Sequence, residues 1–472
     1  MIARFTRSAQ HYARVARLTL FGRAPGSQRP TARGLPADRI IMDVIVIGGG
    51  IAGVATAYQL RAAGHRVCVV ERHATVAQGA TYGHSGVVLP TPLDVWFGPT
   101  FLRNGRQSSG GVISKTGFTG QARAFVKRLA TLHGSDAFAA RYALLRPLIE
   151  SAQAALDDIE NRFQLEYEQR EGLLYLVRAT DEWSLNQPAL ELLRRFETPH
   201  HVLTPHECVA AEHTIPADPP FAGAVRFDHA RVANCPLFVK QLKQTLDTLG
   251  GVQFETGRTV SAIRVESQRA AVELAPRPDE SGKRRDVEVI SADAVVVAAG
   301  AQTPKLLAPL GIKLPLYPVR VHTLNAPVAH EECVPNSTLV DAARRIVVTR
   351  TNHRLRIAGG AVLQHSKQLE QAMPEALTEE ALALLGEASR DWAPGAARIS
   401  AALAWEGMKL LSADGLPAVG NTGSPRLFVN AGHGPSGWAL ALGSARLIAA
   451  QISGTAPELP TETVEALRPE RS

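Results

Sequence analysis

Cysteine is scarce in this 472-residue chain, and its four cysteines lie far apart, at Cys68, Cys208, Cys235 and Cys333. The sequence contains no Cys-x-x-Cys pair and no paired histidines at metal-ligand spacing, so we predict no metal site. Reduced thiols in a cytoplasmic protein are expected. Cys68 falls inside a predicted strand and is expected in the core.

Long apolar runs are missing as well. The long uncharged stretch at residues 44–60 is interrupted by glycines and therefore predicts a strand, a turn and a helix, not a membrane span. No apolar segment follows the N-terminal arginines, so a secretory signal is not expected. With 45% apolar and 20% charged residues, the composition is that of a globular enzyme with two domains or one elaborate one.

Most of the chain lacks an excess of charge of either sign. Residues 1–41 hold eight arginines and a single acid, Asp38, which equals the formal net charge of +7. The other residues carry 43 basic and 43 acidic side chains, because 8 of 51 basic and 1 of 44 acidic residues lie in this leader. The folded body is therefore neutral and gives no sign of nucleic-acid binding.

Three interpretations of the basic leader stay open. It could be an organelle transit peptide, since it is rich in arginine and contains serine and threonine. It could be a basic arm that rests on an acidic membrane surface. It could also be an upstream extension, with Met42 as the working start one residue before the first strand. We expect a cytoplasmic protein, with peripheral contact at the inner membrane left open.

The most informative segment begins at Asp43, where a β-branched run at 44–47 predicts a buried parallel strand. Residues 51–63 predict a helix that Gly64 ends, and 67–70 predict the next strand, which completes a β-α-β start. Later helices are predicted at 122–132, 136–160, 235–249 and 436–453. Strands are predicted at 173–177, 253–255, 259–266, 270–274, 287–290, 294–298, 346–349, 355–358 and 427–430, with loops at 89–120 and a charged turn at 277–286.

Gly48, Gly50 and Gly53 lie between the first strand and the first helix. The first glycine permits a tight turn, the second lets the backbone approach a pyrophosphate, and the third lets the helix pack closely on the strand. Glu71 follows 21 residues after Gly50, where a carboxylate can accept hydrogen bonds from ribose hydroxyls. The segment predicts a dinucleotide site, but it does not by itself separate FAD from NAD.

Three distant segments carry a resemblance to a known family. They are Thr81-Tyr82-Gly83-His84-Ser85-Gly86, the stretch 405–420 with Trp405-Glu406-Gly407-Met408-Lys409 and Asp414-Gly415-Leu416-Pro417, and the stretch 427–438 that ends in Gly432-His433-Gly434-Pro435-Ser436-Gly437-Trp438. With them, residues 43–460 resemble the glycine oxidase and D-amino-acid dehydrogenase family of FAD enzymes. The chain is most similar to bacterial D-amino-acid dehydrogenases of the small-subunit type, and residues 95–170 match less clearly.

The resemblance implies that FAD is the cofactor and that the loop after Glu71 lies against the flavin. His84 stands where the dehydrogenases usually have asparagine, and it could be a hydrogen-bond donor to the ring, a covalent flavin attachment or a plain polar substitute. His433 is either a flavin contact or a turn residue satisfied by backbone. The complete expected set is Val44, Ile47, Gly48, Gly49, Gly50, Ile51, Ala52, Gly53, Glu71, Arg72, Thr81, His84, Ser85, Gly86, Val87, Val260, Ala299, Gly300, Gly432, His433, Gly434, Pro435, Ser436, Gly437 and Trp438.

Other flavin contacts follow from the same resemblance. The backbone of Val260 would meet the adenine, and Ala299 and Gly300 would pass near the ribityl chain, unless these residues are ordinary sheet structure. The helix that begins near Ser436 would point its N-terminus at the pyrimidine edge of the flavin. The partial positive charge there would stabilise the anionic reduced ring.

The substrate side departs from the family pattern. The family has Gly-x-Arg-Pro, whose arginine pairs with the substrate carboxylate, whereas this chain has lysine at position 409, which keeps the charge but loses the bidentate fork. Lys409 therefore binds the carboxylate more loosely, or Arg350 or Arg356 takes over this role, unless they are solvated surface residues. Tyr317 and His322 align with a family segment that usually has two tyrosines. In this chain Tyr317 keeps the first tyrosine, and His322 replaces the second. The expected catalytic set is Lys409, Tyr317, His322 and Arg350.

The resemblance implies an α/β fold. A FAD-binding domain of the Rossmann type is interleaved with an α+β substrate domain that is built on a mixed antiparallel sheet. The expected ranges are 42–100, 201–312 and 405–460 for the FAD-binding domain, and 101–200 and 313–404 for the substrate domain. A basic extension at 1–41 precedes them and a tail at 461–472 follows.

The implied reaction is FAD-dependent oxidative deamination of D-amino acids, with electrons passed to a quinone or another respiratory carrier. Oxidation of D-hydroxyproline, glycine or sarcosine by the same chemistry is the first alternative. An NAD-dependent dehydrogenase and a flavin-binding scaffold without turnover are further alternatives. The sequence shows no Ser/His/Asp set and no paired carboxylates for acid–base catalysis.

Overall fold

The structure is a computed structural model that describes residues 16–17, 41–88, 91–93, 112–113, 120–132, 135–276, 287–363, 375–395 and 398–471. Most of the basic leader, most of the loops predicted at 89–120 and the charged turn at 277–286 lie outside the described residues. The domain boundary expected between 100 and 101 also lies outside them.

The strands run along the chain in the order that follows. They are β1 (Ala16–Arg17), β2 (Asp43–Ile47), β3 (Arg66–Glu71), β4 (Val112–Ile113), β5 (Arg170–Val177), β6 (His201–Leu203), β7 (Gly223–Val232), β8 (Val252–Thr256), β9 (Val260–Val265), β10 (Ala270–Leu274), β11 (Glu288–Ala292), β12 (Ala294–Val297), β13 (Leu316–Pro327), β14 (Thr338–Asp341), β15 (Ile346–Thr351), β16 (Arg354–Val362), β17 (Leu403–Ser412), β18 (Ala418–Asn421) and β19 (Leu427–Ala431).

The helices alternate with these strands. They are α1 (Ile51–Ala62), α2 (Gly120–Thr131), α3 (Ser135–Phe163), α4 (Glu182–Arg195), α5 (Pro205–Ala211), α6 (Cys235–Leu249), α7 (Thr303–Leu307), α8 (Glu375–Trp392), α9 (Gly437–Ser453) and α10 (Thr461–Leu467). Among the described residues, no helix is long and apolar enough to cross a membrane.

A six-stranded sheet, in the order β18-β19-β12-β2-β3-β8, confirms the predicted β-α-β start. Strand β2 runs parallel to both neighbours, β3 and β12. Every residue of β2 is buried, because the sheet is covered on both faces. Val44 and Val46 pack into the core that includes α1 and α9, and Ile45 and Ile47 pack into a second core on the other face. Apolar side chains on both faces are what a buried parallel strand requires.

The second core is closed by a small sheet in the order β1-β11-β10-β9. Strand β10 pairs antiparallel with β9 and with β11. Val260, Val272 and Ile290 of these strands contribute to the same core as Ile45 and Ile47. Val260, the first residue of β9, therefore has a core side chain, and two residues before it the N–H of Arg258 donates to the carbonyl oxygen of Glu71 at the end of β3.

The largest sheet of the described residues follows the order β17-β13-β16-β15-β14-β5-β7-β6, and β4 pairs with β16. Most neighbours are antiparallel, but β14 runs parallel to β5. Helix α8 covers one face, where Trp392 packs with Leu324 and Ile357. This is the mixed antiparallel sheet that was expected for the substrate domain, and the chain has a mixed α/β fold.

The two large sheets exchange chain segments more often than the expected ranges imply. Strands β6 and β7 join the substrate sheet, although both fall within residues 201–312. Strand β17 also joins the substrate sheet and lies almost entirely within 405–460. The ranges 201–312 and 405–460 therefore each contribute strands to both sheets. Strand β17 leads directly from the substrate sheet into the six-stranded sheet, which is called the flavin sheet from here on.

Candidate active site

The turn between β2 and α1 has no room for side chains. Gly48 has a φ of +112°, and a Cβ atom there would lie 2.4 Å from the carbonyl oxygen of Ala298. A Cβ atom at Gly53 would lie 1.8 Å from the carbonyl oxygen of Gly48. Helix α1 begins with Gly50 as its N-cap and has no side-chain cap. This glycine cradle at a helix N-terminus fits the pyrophosphate of a dinucleotide.

Glu71 lies beside this turn at the end of β3. Its carboxylate accepts hydrogen bonds from the backbone N–H groups of Gly49, at 2.5 Å, and of His73, at 2.8 Å. An ionised carboxylate has about four acceptor positions, so Glu71 keeps acceptor capacity for ribose hydroxyls. The Thr81 hydroxyl oxygen accepts a hydrogen bond at 3.0 Å from the N–H of Ile51. The turn, the end of β3 and the start of the following loop thus meet.

Three other expected cofactor residues differ in position. Ala299 lies two residues after the end of β12, and its Cα atom lies 3.2 Å from a Cβ atom built on Gly48, so this segment abuts the glycine turn. Gly300 has a positive φ of +55°. Arg72 is exposed, and its Nε donates to the ring of the neighbouring His73 at 3.2 Å. The structure therefore brings Ala299 against the turn and directs Arg72 to the surface.

The loop 81–86 lies across the face of the substrate sheet. Three donors on neighbouring strands hold three successive carbonyl oxygens of this loop: Thr323 on β13 donates to Gly83 at 3.1 Å, Arg356 on β16 to His84 at 2.9 Å, and Thr349 on β15 to Ser85 at 2.8 Å. After them, the carbonyl of Gly86 accepts from Ala233 at 2.9 Å, and Val87 pairs with Val232 of β7. The sequence did not assign Thr323 or Thr349 to the site, although a polar residue in an apolar strand was a usable signal.

His84 is 3% exposed at the centre of this loop. Its Nδ1 accepts a hydrogen bond at 3.1 Å from the N–H of Gly86, which assigns the ring proton of the neutral imidazole to Nε2. Burial, followed by the positive charges of Lys409 and Arg356, lowers the pKa of His84 well below its usual value. The ring lies edge-on to Trp438, with 6.1 Å between centroids. His84 is thus a neutral donor between two cations.

The glycine-rich turn after β19 brings a second helix N-terminus to this region. Gly432 and Gly434 have positive φ values of +83° and +58°, and Ser436 is the N-cap of α9 without a side-chain hydrogen bond. His433 has an Nε2 that lies 3.0 Å from the Ser444 hydroxyl inside the same helix. Burial lowers the pKa of His433 to about 4. The imidazole therefore has a partner within the fold, and this partner is a hydroxyl group, not the backbone named in one of the two interpretations of His433.

Trp438 supports this turn from the protein interior. Its side chain is 1% exposed and packs against Tyr167 and Phe238, with ring centroids 5.7 Å and 5.4 Å away. The contact with His84 joins the loop 81–86 to the first turn of α9. The structure thus places Trp438, which is expected at the cofactor, in a buried cluster of aromatic rings.

Lys409 lies on β17, opposite Val319 of β13. Opposite Trp405 on the paired strand, Thr323 donates to the carbonyl oxygen of Gly83, so the face of β17 that carries Trp405 is the face that meets the loop. Alternate residues of a strand share a face, so Trp405 and Gly407 lie on the same face as Lys409. Lys409, the expected carboxylate ligand, therefore lies on the side of the sheet that meets the loop 81–86, which is called the flavin loop from here on because it is expected to face FAD.

Trp405 fills the space between this strand and the loop. A Cβ atom on Gly83 would lie 2.0 Å from its ring, and a Cβ atom on Gly407 would lie 2.2 Å from it. Tyr82 is close as well, with 6.2 Å between the ring centroids and a tilt of 42°. Sequence reasoning quoted Trp405 as part of a motif but gave it no role. Gly83 and Gly407, which leave room for the indole ring, are the features of the sequence that could have indicated this contact.

Tyr317 and His322, both on β13, point in different directions. The Tyr317 ring stacks on Phe125 of α2, with 4.7 Å between centroids, on the face that also carries Lys409. His322 lies on the opposite face, where its Nδ1 is 2.6 Å from the Gly360 carbonyl oxygen. Its Nε2 is 3.6 Å from the carboxylate of Glu406, which also pairs with Arg320. Burial lowers the pKa of His322.

Arg350 and Arg356 also lie on different faces. Arg350 forms an ion pair with Glu331 at 2.5 Å and follows Thr349 directly, so it points away from the flavin loop. Arg356 is 5% exposed, and its Nε donates to the Asn325 side chain at 2.9 Å. The structure therefore brings Lys409 and Arg356 to the loop and places Arg350 and His322 on the other side of the sheet.

The profile of a family described as FAD-dependent oxidoreductases matches residues 43–451, which contain the glycine cradle, the loop and the second helix N-terminus. The chain belongs to this family. Its cofactor is FAD, and the cradle, Glu71 and the loop are the residues that fit it. Among the described residues, no group of three histidine, cysteine or acidic side chains is placed to hold a metal ion.

Relatives of this FAD-dependent oxidoreductase align over nearly its whole length. A D-amino acid dehydrogenase of Methylobacterium radiotolerans is 31% identical over 428 residues, which cover 89% of this chain and 98% of the relative. A D-amino acid dehydrogenase of Cereibacter sphaeroides is 31% identical over 425 residues, which cover 89% of this chain and 93% of the relative.

Solved structures show the same fold at lower sequence identity. Glycine oxidase from Geobacillus kaustophilus superimposes with a TM-score of 0.64 at 19% identity, over 91% of this chain and 99% of that one. The dithionite-reduced L-α-glycerophosphate oxidase of Mycoplasma pneumoniae, which has FAD bound, superimposes with a TM-score of 0.61 at 15% identity, over 88% of this chain and 95% of that one. At these identities the likeness establishes the fold alone.

Proposed function

We propose that this FAD-dependent oxidoreductase catalyses the oxidative deamination of D-amino acids to 2-oxo acids and ammonia. The observation that carries the proposal is the position of Lys409, a cation on the face of the substrate sheet that meets the flavin loop. The names of the relatives, D-amino acid dehydrogenases at about 30% identity, support the same substrate class.

Lys409 would bind the substrate carboxylate through its ammonium group. FAD supplies the chemistry by accepting a hydride from the Cα–H bond of the substrate. A lysine contributes a point charge without the planar fork of arginine, so orientation must also come from the walls of the site. Trp405 and Tyr82 are the aromatic side chains placed to form such a wall. Holding the Cα–H bond toward the ring is the main contribution expected of the protein.

The buried imidazoles set the protonation state of the site. His84 and His433 are neutral near pH 7, since burial lowers the pKa of each. His84 cannot accept the substrate proton at Nδ1, because that nitrogen already accepts the hydrogen bond from Gly86. The substrate would therefore bind with its amine already deprotonated, and neither histidine serves as its base.

Hydride loss from a substrate whose amine is unprotonated gives the protonated imine, and water hydrolyses this product to the 2-oxo acid and ammonium. The two electrons and the proton of the hydride must then leave the enzyme. We propose a quinone or another respiratory carrier as the oxidant. The support is the dehydrogenase naming of the relatives. Peripheral membrane contact is proposed for the same reason, and co-sedimentation of the full chain with anionic vesicles tests it.

Anaerobic reduction of the bound flavin tests the substrate class. The purified yellow holoenzyme would be mixed with D- and L-amino acids, glycine, sarcosine, D-hydroxyproline and 2-hydroxy acids, and loss of the visible flavin absorbance would be followed. D-amino acids should bleach the flavin and yield ammonia and 2-oxo acids. Bleaching by hydroxy acids alone, or by no member of the panel, would contradict the proposal.

A further inference from the structure

The three donors that hold the loop form a regular arrangement on the substrate sheet. Arg356 on β16 pairs across the sheet with Asn325 of β13 on one side and Thr349 of β15 on the other. Thr323 lies two residues before Asn325 and therefore on the same face. These side chains come from three adjacent strands, and the loop carbonyls that they bind are consecutive. The spacing of β13, β16 and β15 in the sheet thus fixes the positions of the three loop carbonyl oxygens that these strands bind.

Arg356 is bound on both sides within this arrangement. Its Nε donates to the Asn325 side-chain oxygen and its terminal nitrogen to the His84 carbonyl oxygen, both at 2.9 Å. The side chain is 5% exposed, and no carboxylate among the described residues forms an ion pair with it. A buried guanidinium depends on such hydrogen bonds, so the loop carbonyl is a principal partner of its charge.

The rest of the loop is fixed by backbone contacts. Gly83 lies against the Trp405 ring, and the carbonyl oxygen of Gly86 accepts from the N–H of Ala233. A Cβ atom at Gly86 would lie 2.6 Å from the Ala233 carbonyl oxygen, so the loop is close to β7 there. The carbonyl oxygens between these two ends are those held by the three side-chain donors.

We infer that Thr323, Arg356 and Thr349 are positioning residues that hold the loop 83–85 in the conformation that faces FAD. Arg356 serves this loop and does not bind the substrate carboxylate. The positioning role of these three residues rests on FAD as the cofactor. Only the statement that Arg356 does not bind the substrate carboxylate rests on the proposed function. The substrate sheet therefore determines the cofactor site, and loss of one hydroxyl weakens FAD binding without removing any group that touches the substrate.

The test replaces single hydroxyls with methyl groups. Thr349→Val and Thr323→Val each leave a loop carbonyl without its donor, whereas Thr349→Ser keeps the hydroxyl. Thr351→Val, two residues along the same strand and face, is the matched control, since among the described residues its hydroxyl bonds only to the carbonyl of Arg354, at 3.5 Å. FAD affinity would be measured by titrating apoprotein. The circular dichroism of the bound flavin in the visible range would be recorded as a probe of its surroundings.

The valine variants at 323 and 349 should each weaken FAD binding about fivefold, the effect of one net hydrogen bond, and should alter the flavin dichroism. Thr349→Ser and Thr351→Val should match the wild type in both. Unchanged affinity and dichroism in both valine variants would overturn the inference. An equal loss in the Thr351→Val control would also overturn it, because the effect would then be a general one of the sheet.

Arg356→Lys separates loop positioning from substrate binding. The inference expects weaker FAD binding, altered flavin dichroism and a lower kcat, with KM for the amino acid within about twofold of wild type. A tenfold rise in KM with unchanged FAD affinity would assign Arg356 to the carboxylate and overturn that part. If no amino acid reduces the wild-type flavin, the proposed function fails, while the FAD titrations still decide the positioning role of Thr323 and Thr349.

Discussion

Two cations lie beside the flavin loop, and they differ in how they are held. Arg356 is almost fully buried and bound by Asn325 and by a loop carbonyl. Lys409 is half-buried on an edge strand of the same sheet. Sequence reasoning proposed both as carboxylate ligands, together with Arg350, because charge is visible in a sequence and strand face is not. Lys409 is the less buried of the two cations, and it is the one that we propose as the carboxylate ligand.

Replacing Lys409 with alanine should raise KM for the best amino acid roughly 10- to 100-fold, since a hydrogen bond to a charged group is worth about 1.5–3 kcal/mol. Lys409→Arg should keep KM within about tenfold of the wild type. Lys243→Ala, which removes a surface ion pair with Asp247, is the control. Steady-state kinetics with an artificial acceptor measures all three, and an unchanged KM in Lys409→Ala would remove this residue from the site.

The contact between Gly83 and Trp405 predicts a sharp steric effect. Gly83→Ala places a methyl group 2.0 Å from the indole, so the ring or the loop must move. We expect at least a tenfold loss of kcat/KM and a shift in tryptophan fluorescence. Gly79→Ala is the matched control in the same segment, because no atom of the described residues lies within 4 Å of its Cβ position. Equal activity of the two variants would show that Trp405 is not a wall of the site.

At the scale of elements, the sequence predicted what local periodicity determines. Helix α6 and strand β10 have the predicted bounds. In the β2-α1-β3 start, no end of an element differs from its predicted position by more than one residue. Strands β13 and β17, which belong to the substrate sheet next to the flavin loop, leave no such local pattern in the sequence. Their partners lie about 90 residues apart along the chain, and pairing at that distance leaves no local pattern.

The glycine cradle depends on close contact between α1 and β2. Gly53→Ala would place a methyl group 1.8 Å from the carbonyl oxygen of Gly48, which is backbone and cannot rotate away. We expect loss of bound FAD and a fall in the free energy of unfolding of at least about 3 kcal/mol, the upper end of ordinary overpacking.

Gly386→Ala in α8 is the matched control for Gly53→Ala. Its nearest side-chain atom is 3.8 Å away, and alanine favours a helix over glycine by about 1 kcal/mol. This variant should bind FAD normally and unfold at the same temperature or a higher one. Full flavin content in purified Gly53→Ala would contradict the packing role given to the third glycine of the motif.

At the scale of the whole molecule, the cofactor region lies where the two large sheets meet. The loop 81–86 starts at the flavin sheet and is held by the substrate sheet, and β17 returns the chain from one sheet to the other. The sequence predicted the flavin side well because its motifs are contiguous. It could not predict the donors on β13, β15 and β16, because only sheet pairing brings them to one face.

Burial of histidine in this region predicts acid sensitivity. The pKa of His433 is about 4 in the folded chain and about 6.5 in an unfolded one, so between these values the unfolded state binds more protons. Stability is therefore retained above pH 6.5 and lost as pH falls, by about 2 kcal/mol at pH 5 from this group alone. His433→Gln should show a smaller loss between pH 7.5 and pH 5 in urea denaturation with saturating FAD. An identical loss in both proteins would contradict this account of the buried imidazole.

The central claim is the proposal that D-amino acids are the substrates and that bound FAD would accept a hydride from their Cα. Stopped-flow measurement of anaerobic flavin reduction, with one D-amino acid, its Cα-deuterated form and its L-enantiomer, tests this claim most directly. The account predicts full reduction by the D-form, slower reduction by the deuterated form and little or none by the L-form. Equal rates for the protiated and deuterated D-forms would show that Cα–H cleavage does not limit reduction. Reduction by the L-enantiomer alone would contradict the proposed substrate class.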